Sequence, residues 1–378
     1  MQQQVKFAKP DSSQFFSTLR KKVNDYFVQN NISKKADYRM VIKTIIMFSI
    51  YFVPFALILT GTFSIWVMLL FCVIMGIGIA GIGFSIMHDA NHNAYSSNKR
   101  INYILGYAVN LIGGSAFTWK VQHNVLHHTY TNIYELDEDI HDKPMLRLSP
   151  HGKLKLIHKH QHWYAMFLYS LATISWVIKK DFAQLKSYNQ SGLTEKIGFK
   201  PFKQTVILIL SKVFYIAYIL VLPIMILPIA WWQVLIGFLV MHMVAGFLLT
   251  IVFQLAHVVD GPDHHHPVEN GNMENTWAIH QLLTTANFAK KNRILSWFVG
   301  GLNYQIEHHL FPHICHIHYK AISGIVKKTA QDFNLPYYDQ PTFRYALYSH
   351  LSMLKKLGNG EAIPNWSPTP QKDLIHEI

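Results

Sequence analysis

From Thr44 to His88, and again from Val213 to Val259, the chain carries no Lys, Arg, Asp or Glu. The two windows run for 45 and 47 residues. A helix that crosses a bilayer needs about 20 apolar residues. Each window therefore holds two crossings and a tight turn, and turn-forming residues stand in the middle of both: Thr60-Gly61-Thr62 in the first, the stretch from Pro223 to Pro228 in the second. A soluble core has difficulty hiding uncharged runs this long, so two transmembrane hairpins are the expectation. Composition agrees, with half of the residues hydrophobic and only 15% charged.

The basic residues orient these hairpins. Residues 1–43 hold nine Lys and Arg, 88–204 hold fourteen, 257–378 hold ten, and one more, Lys212, lies within the third span. The two expected turns hold none. By the positive-inside rule both termini and both large polar segments are cytoplasmic. The net charge of +13 is thus first a topology signal, and it also attracts anionic headgroups or an acidic electron carrier. It is dispersed and accompanies no nucleic-acid-binding motif, so no nucleic-acid partner is expected.

The expected organisation follows. A cytoplasmic N-terminal segment (1–40) precedes a first hairpin (41–87), with spans near 41–60 and 64–87. A cytoplasmic segment (88–204) leads to a second hairpin (205–256), with spans near 205–227 and 231–256. A cytoplasmic segment (257–378) completes the chain. Asn102 to Phe117 is apolar but too short to cross, and reads as re-entrant or interfacial. Trp163 to Ile178, aromatic and bounded by Lys179-Lys180, reads as a helix lying at the membrane surface. The fold class is an all-α integral membrane protein: four transmembrane helices as two hairpins beneath a cytoplasmic helical cap. The only cysteines are Cys72 and Cys315, one in a span and one cytoplasmic, so neither a structural disulfide nor a cysteine-ligated cluster is expected. Met1 to Asp37 is polar and basic without an apolar core, so no cleavable signal peptide is expected.

The histidines carry the chemistry. His88 and His92 leave the second span one helical turn apart. His123 and His127 repeat that spacing with His128 adjoining, and His308-His309 follow Gln305. His257 ends the fourth span, close to where the other clusters should converge. These are eight candidate ligands on one side of the membrane, more than a closed four-ligand structural site needs. Nearly all-nitrogen ligation suits iron, copper or zinc and disfavours magnesium or calcium. Two ions with about four histidines each, leaving open positions, would use the set. Asp89, Glu307 and Asp260, with Asp137 and Asp139, are candidates to accept the second ring N–H and fix the imidazoles.

The order H-x3-H, H-x3-HH, Q-x2-HH, interleaved with two transmembrane hairpins, resembles the membrane fatty acid desaturase family. Gln305-Ile306-Glu307-His308-His309, followed by Leu310-Phe311-Pro312, resembles its front-end branch, whose members act between an existing double bond and the carboxyl end. His127-His128-Thr129-Tyr130-Thr131-Asn132, with Asp137 and Asp139 downstream, is similar to that branch as well. The likeness covers roughly residues 40–320. It implies that His88, His92, His123, His127, His128, His308 and His309 bind metal, and that His257 is the additional ligand at the end of the last span. Gln305 stands where other members have a histidine; as an amide it is a weak ligand, or acts through a water or on a neighbouring ligand.

The resemblance also implies the reaction. C–H bonds of a saturated chain have no acidic proton and no leaving group, so acid–base or nucleophilic catalysis has no purchase on them. A di-iron centre activates O2 with two supplied electrons and leaves a cis double bond in the acyl chain of a lipid or an acyl-CoA, with Δ5 or Δ6 front-end selectivity. Many front-end members carry a fused cytochrome b5 domain with a His-Pro-Gly-Gly motif. This sequence has no such motif, so a separate ferredoxin or cytochrome b5 is expected, in a bacterial inner membrane. The nearest enzymatic rival is a membrane di-iron hydroxylase, which shares such boxes. A metal transporter should instead hold ligands inside its spans. His242 inside a span is expected to face a partner helix or the substrate path, and the triplet His264-His265-His266 reads as a solvent loop.

Overall fold

The structure, a computed structural model, describes residues 5–9, 13–141, 143–266 and 272–365. Four helices are long and apolar enough to cross a membrane: Tyr38–Leu59, Ile65–Asn91, Pro201–Ile226 and Trp231–His257. They are the four spans expected, and the protein is an integral membrane protein of mostly helical structure. The first turn needs Gly61, whose φ of +68° suits glycine.

Close approach between spans is made by small residues, as packing without a hydrophobic drive requires. A Cβ on Gly78 would lie 2.9 Å from the Tyr51 backbone nitrogen, joining first span to second. One on Gly76 would lie 2.5 Å from the Met241 carbonyl, joining second to fourth. Between them Met40, Met47, Tyr51, Met75, Ile79 and Met241 form the bundle core. The outward faces remain apolar: Ile45, Val53, Leu70, Leu210, Val213 and Met225 are exposed. Trp66, Trp231 and Trp232 are exposed at the turn-side ends, where aromatic anchors belong.

Two further segments pack between the spans. The helices Lys99–Gly106, Ala108–Leu111 and Ala116–Lys120 form the first. Its tip reaches the third span: the Tyr218 hydroxyl donates to the Leu111 carbonyl, and Lys212 donates to that of Gly113 at 2.6 Å. Gly113 has φ +92°, and a Cβ there would stand 2.8 Å from the Tyr215 ring. The second comprises Gln161–Ser170, Ala172–Ser175, Trp176–Lys180 and Asp181–Gln190. Trp163 to Ile178, expected to lie at the membrane surface, packs in the structure against the third and fourth spans. Thr173 donates to the His242 carbonyl at 2.8 Å, eleven residues into the fourth span. Lys212 binds the Asp181 carboxylate at 2.6 Å and the Trp176 carbonyl at 2.9 Å. The reason is polar: His242 and Lys212 lie within spans and need partners, which this segment supplies. His242 is completed by the Tyr215 hydroxyl, 2.7 Å from Nε2, so it faces partner helices.

The cap lies beyond the ends of the second and fourth spans. It contains Phe15–Gln29, Trp277–Leu283, Gln305–Leu310, Tyr319–Asp332 and Phe343–Asn359. Phe15, Leu19 and Val23 pack on Ile322, Val326 and Ala330. The cap also holds the small amount of sheet described, β1 (Ala286–Phe288) paired in parallel with β2 (Tyr338–Gln340).

Candidate metal centre

Each histidine cluster is delivered by a different element. The second span ends in a π-helical turn, Ile82–Met87, followed by the short helix His88–Asn91 with His92 at its cap. The second cluster lies in and just beyond another π-helical turn, Val121–His127. Gln305–Leu310 carries the third, and His257 is the last residue of the fourth span. The third is brought close by the turn at Gly300 and Gly301, with φ of +62° and +65°. A Cβ on Gly300 would stand 2.3 Å from the Phe84 carbonyl, one turn before His88. Only glycine fits both the backbone and the space.

The eight imidazoles come together in overlapping groups. His88, His92, His123 and His308 form one, and His127, His257 and His309 another; within each, the ligating atoms lie within 4.8 Å of one another. His128 lies between them, grouped with both His308 and His309. Its Nε2 is 2.9 Å from that of His308 and 3.2 Å from that of His123. His88 and His123 place their Nε2 atoms 3.2 Å apart. Two nitrogens about 2.1 Å from one ion, at right angles, are about 3.0 Å apart, so this spacing suits shared coordination. His123 and His127 stay neighbours on this turn, ring centroids 5.5 Å apart, yet each joins a different group.

Several rings are held by the nitrogen that faces away. Nδ1 of His127 lies 3.0 Å from the Asp137 carboxylate, and that of His309 donates to the Gln281 side-chain oxygen at 2.7 Å. His257 Nδ1 donates to the Thr284 carbonyl at 3.2 Å, and His308 Nδ1 lies 3.2 Å from the Tyr319 hydroxyl. A proton on Nδ1 leaves the lone pair on Nε2. The Nε2 atoms of His127, His257 and His309 are buried with no hydrogen-bond partner among the described residues. Buried acceptors without partners are costly, and a cation between them removes that cost. Burial, together with the neighbouring imidazoles, holds His92, His123, His128, His308 and His309 well below their ordinary range, so they are neutral donors at pH 7. Burial pulls His127 down too, but the Asp137 carboxylate outweighs it and raises its pKa. The residues thus fit an imidazole-bound pair of ions.

The acidic candidates are placed differently. Asp89 accepts from His316 Nδ1 at 2.8 Å and from Cys315 Sγ at 3.0 Å, approaching His88 Nδ1 only to 3.9 Å. Glu307 points to the other side of its helix, where Asn287 and the Tyr337 hydroxyl donate to it at 2.9 and 2.8 Å, and burial raises its pKa. Asp260 is corrected outright. After the fourth span the chain turns at Gly261, φ +118°, and the Asp260 carboxylate, half exposed, binds Ser349 and Lys356 instead of an imidazole. His264, His265 and His266 join none of the metal-holding groups; instead His265 exchanges backbone hydrogen bonds with Asn132 and Tyr134, and His264 is buried.

Gln281, Thr284 and Tyr319 carried no sequence signal as supports of the imidazoles. Asn132, in the His127–Asn132 run, has a clearer role in the structure. It adopts φ +55° and its side-chain amide donates to the carbonyls of His257 at 3.1 Å and Asp263 at 3.0 Å. It thereby locks the end of the fourth span to the second histidine cluster.

A cavity of about 200 Å³ adjoins the imidazoles. Phe84, Met87, Trp119, Trp176, Leu249 and Phe253 give it apolar walls, and His88, His123, His308 and Gln305 line it as well. Gln305 therefore faces the same space as the first histidine group. An apolar slot beside a bank of imidazoles suits a hydrocarbon reactant.

Residues 64–341 match the family model described as fatty acid desaturase. The chain is similar to the sn-1 linoleoyl-lipid 6-desaturase of Arthrospira platensis, 36% identical, the match covering 91% of this chain and 92% of the relative. The protein of the same name from Synechocystis sp. is 36% identical, with 91% and 95% covered. The acyl-lipid (8-3)-desaturase of Physcomitrium patens is 33% identical, with 94% and 74% covered. Convergent histidine clusters at the ends of apolar spans and likeness over nearly the whole chain lead to one conclusion: the chain belongs to the fatty acid desaturase family and is a fatty acyl desaturase of the membrane.

Proposed function

We propose that the protein is a front-end acyl-lipid desaturase whose two iron ions are held by the converging histidines, one chiefly by His88, His92, His123 and His308, the other by His127, His257 and His309, with His128 between them. The observation that carries this reading is the pair of adjoining imidazole groups, the second with its Nε2 atoms unpartnered and the first beside a largely apolar cavity. When bound, such a pair supplies the O2-dependent oxidising power that unactivated C–H bonds require.

The chain's own residues do the rest. Asp137, Gln281, the Thr284 carbonyl and Tyr319 fix ring orientation. Trp119, Trp176, Phe84 and Phe253 hold the acyl chain and keep water from the reacting carbons. Gln305 lines the same wall as a neutral polar group. Selectivity near the carboxyl end is supported by the relatives named as 6- and (8-3)-desaturases. The distribution of Lys and Arg supports a site and termini in the cytoplasm, and the cyanobacterial relatives support a bacterial inner membrane. Electrons come from a separate acidic carrier, a ferredoxin or cytochrome b5, drawn to the basic cytoplasmic face.

The test is expression in a host of simple fatty-acid content, followed by mass spectrometry of its lipids. A new cis double bond on the carboxyl side of an existing one, absent with His127→Ala, is the expected result. Hydroxylated chains would assign the protein to the rival chemistry.

A further inference from the structure

The cavity beside the histidines has two characters. Where the second and fourth spans line it, the walls are apolar; where residues 122–180 contribute, Gln122, Asp139, Lys143 and Lys180 face it. Its buried end lies against Phe84 and His308, whereas Lys143 is exposed and Lys180 half-exposed, so it reaches the surface at the lysines.

The lysines make no ion pair with the acids nearby among the described residues. The Glu138 carboxylate accepts from Gln184 at 2.6 Å and from the Tyr188 hydroxyl at 2.8 Å. The Asp139 carboxylate accepts from Gln122 at 2.5 Å and lies 3.8 Å from His127 Nδ1. Lys143 has a backbone contact, to the Glu138 carbonyl at 3.3 Å, and Lys180 lies over the Trp176 ring at 5.6 Å. Neither ammonium has a carboxylate within salt-bridge distance among the described residues. Two like charges brought to one opening, with no carboxylate in ion-pair contact among the described residues, offer a place for an anion from outside.

An acyl chain entering with its methyl end first leaves its carboxyl end, and whatever carries it, at this opening. We propose that Lys143 and Lys180 form a subsite for a phosphate group of the acyl carrier, and that this grip fixes how many carbons lie between the carboxyl end and the histidines. The proposal rests on the front-end reading, because only a reaction counted from the carboxyl end needs the carrier held close to the metal site. Two carriers offer such a phosphate, a phospholipid and an acyl-CoA.

The experiment uses the full-length protein in vesicles with a reductant system. It compares one acyl chain presented on phosphatidylglycerol, on an uncharged glycolipid and on coenzyme A. The expected result is preferential use of one phosphate-bearing carrier, which identifies the source. In the K143Q/K180Q variant the ratio of kcat/KM for that carrier over the glycolipid should fall about tenfold, mainly through KM. K143R/K180R should restore it, which separates charge recognition from damage to the fold. Equilibrium binding of the desaturated phospholipid should weaken in parallel. Equal use of all three carriers by the unaltered protein, or a ratio unmoved in K143Q/K180Q, overturns the subsite and leaves the desaturase reading intact. Absence of any new double bond, or one introduced on the methyl side, overturns the front-end reading and the subsite with it.

Discussion

Lys212 and Asp181 meet at 2.6 Å, each with a side chain only 7% exposed, and the other Asp181 oxygen accepts from the Thr118 hydroxyl at 2.8 Å. This contact ties the third span to both segments that dip between the spans, one leading into the second histidine cluster, the other carrying Trp176 and Lys180. Removing one partner leaves a charge in an apolar setting. K212M or D181N alone should cost about 3–5 kcal/mol, and the paired change K212M/D181L should recover most of it. Thermal unfolding in detergent tests this; single variants no less stable than the pair would mean the contact holds nothing.

Asp137 fixes His127 from behind, whereas Asp260 contacts no imidazole among the described residues. D137N should lower iron affinity about 10- to 100-fold, measured by retention against a graded chelator. D260N should leave retention unaltered. An equal effect of the two would remove the orienting role.

Gly300 combines a φ of +62° with contact against the Phe84 carbonyl. G300A should displace the third histidine cluster and lower both stability and iron content, with the spans still inserted. Full iron loading of G300A would show that the turn does not place His308 and His309.

His350 is buried with a pKa of about 4, because burial disfavours its charged form; its Nδ1 donates to the Val258 carbonyl and its Nε2 accepts from Tyr169. The unfolded chain gains a proton near pH 6.5, but the folded one gains it only near 4. Stability is therefore complete above about pH 6.5 and falls as pH drops toward 4, by up to about 3 kcal/mol. H350Q, which keeps one donor and one acceptor, should flatten that part of the profile. An identical acid profile for both proteins would contradict the assignment.

Much of this architecture is legible in the sequence because the bilayer imposes strict rules. Charge-free windows mark the spans to within a few residues, and His88 and His257 stand in the last turns of the second and fourth spans. What the sequence hides depends on tertiary contact. Trp163 to Ile178 has the composition of a surface helix, and only the pairing of Thr173 with His242 and Asp181 with Lys212 draws it inward. That His123 and His127 join different groups depends on which other histidines approach each ring, which no local residue pattern announces. Gln281 and Tyr319 support imidazoles from other elements, so spacing within a cluster could not reveal them. Asp260 and Glu307 looked suitable by proximity in sequence, but the turn at Gly261 and the helix face point them elsewhere.

The central claim is that the eight histidines hold two ions in two groups. Iron per chain, measured with catalytic turnover on the purified protein, tests it most directly. About two irons are expected for the unaltered chain, with the paired change H127A/H257A, confined to the second group, reducing this to about one and abolishing turnover. Full turnover with one iron or none, or two irons retained in H127A/H257A, would contradict the account.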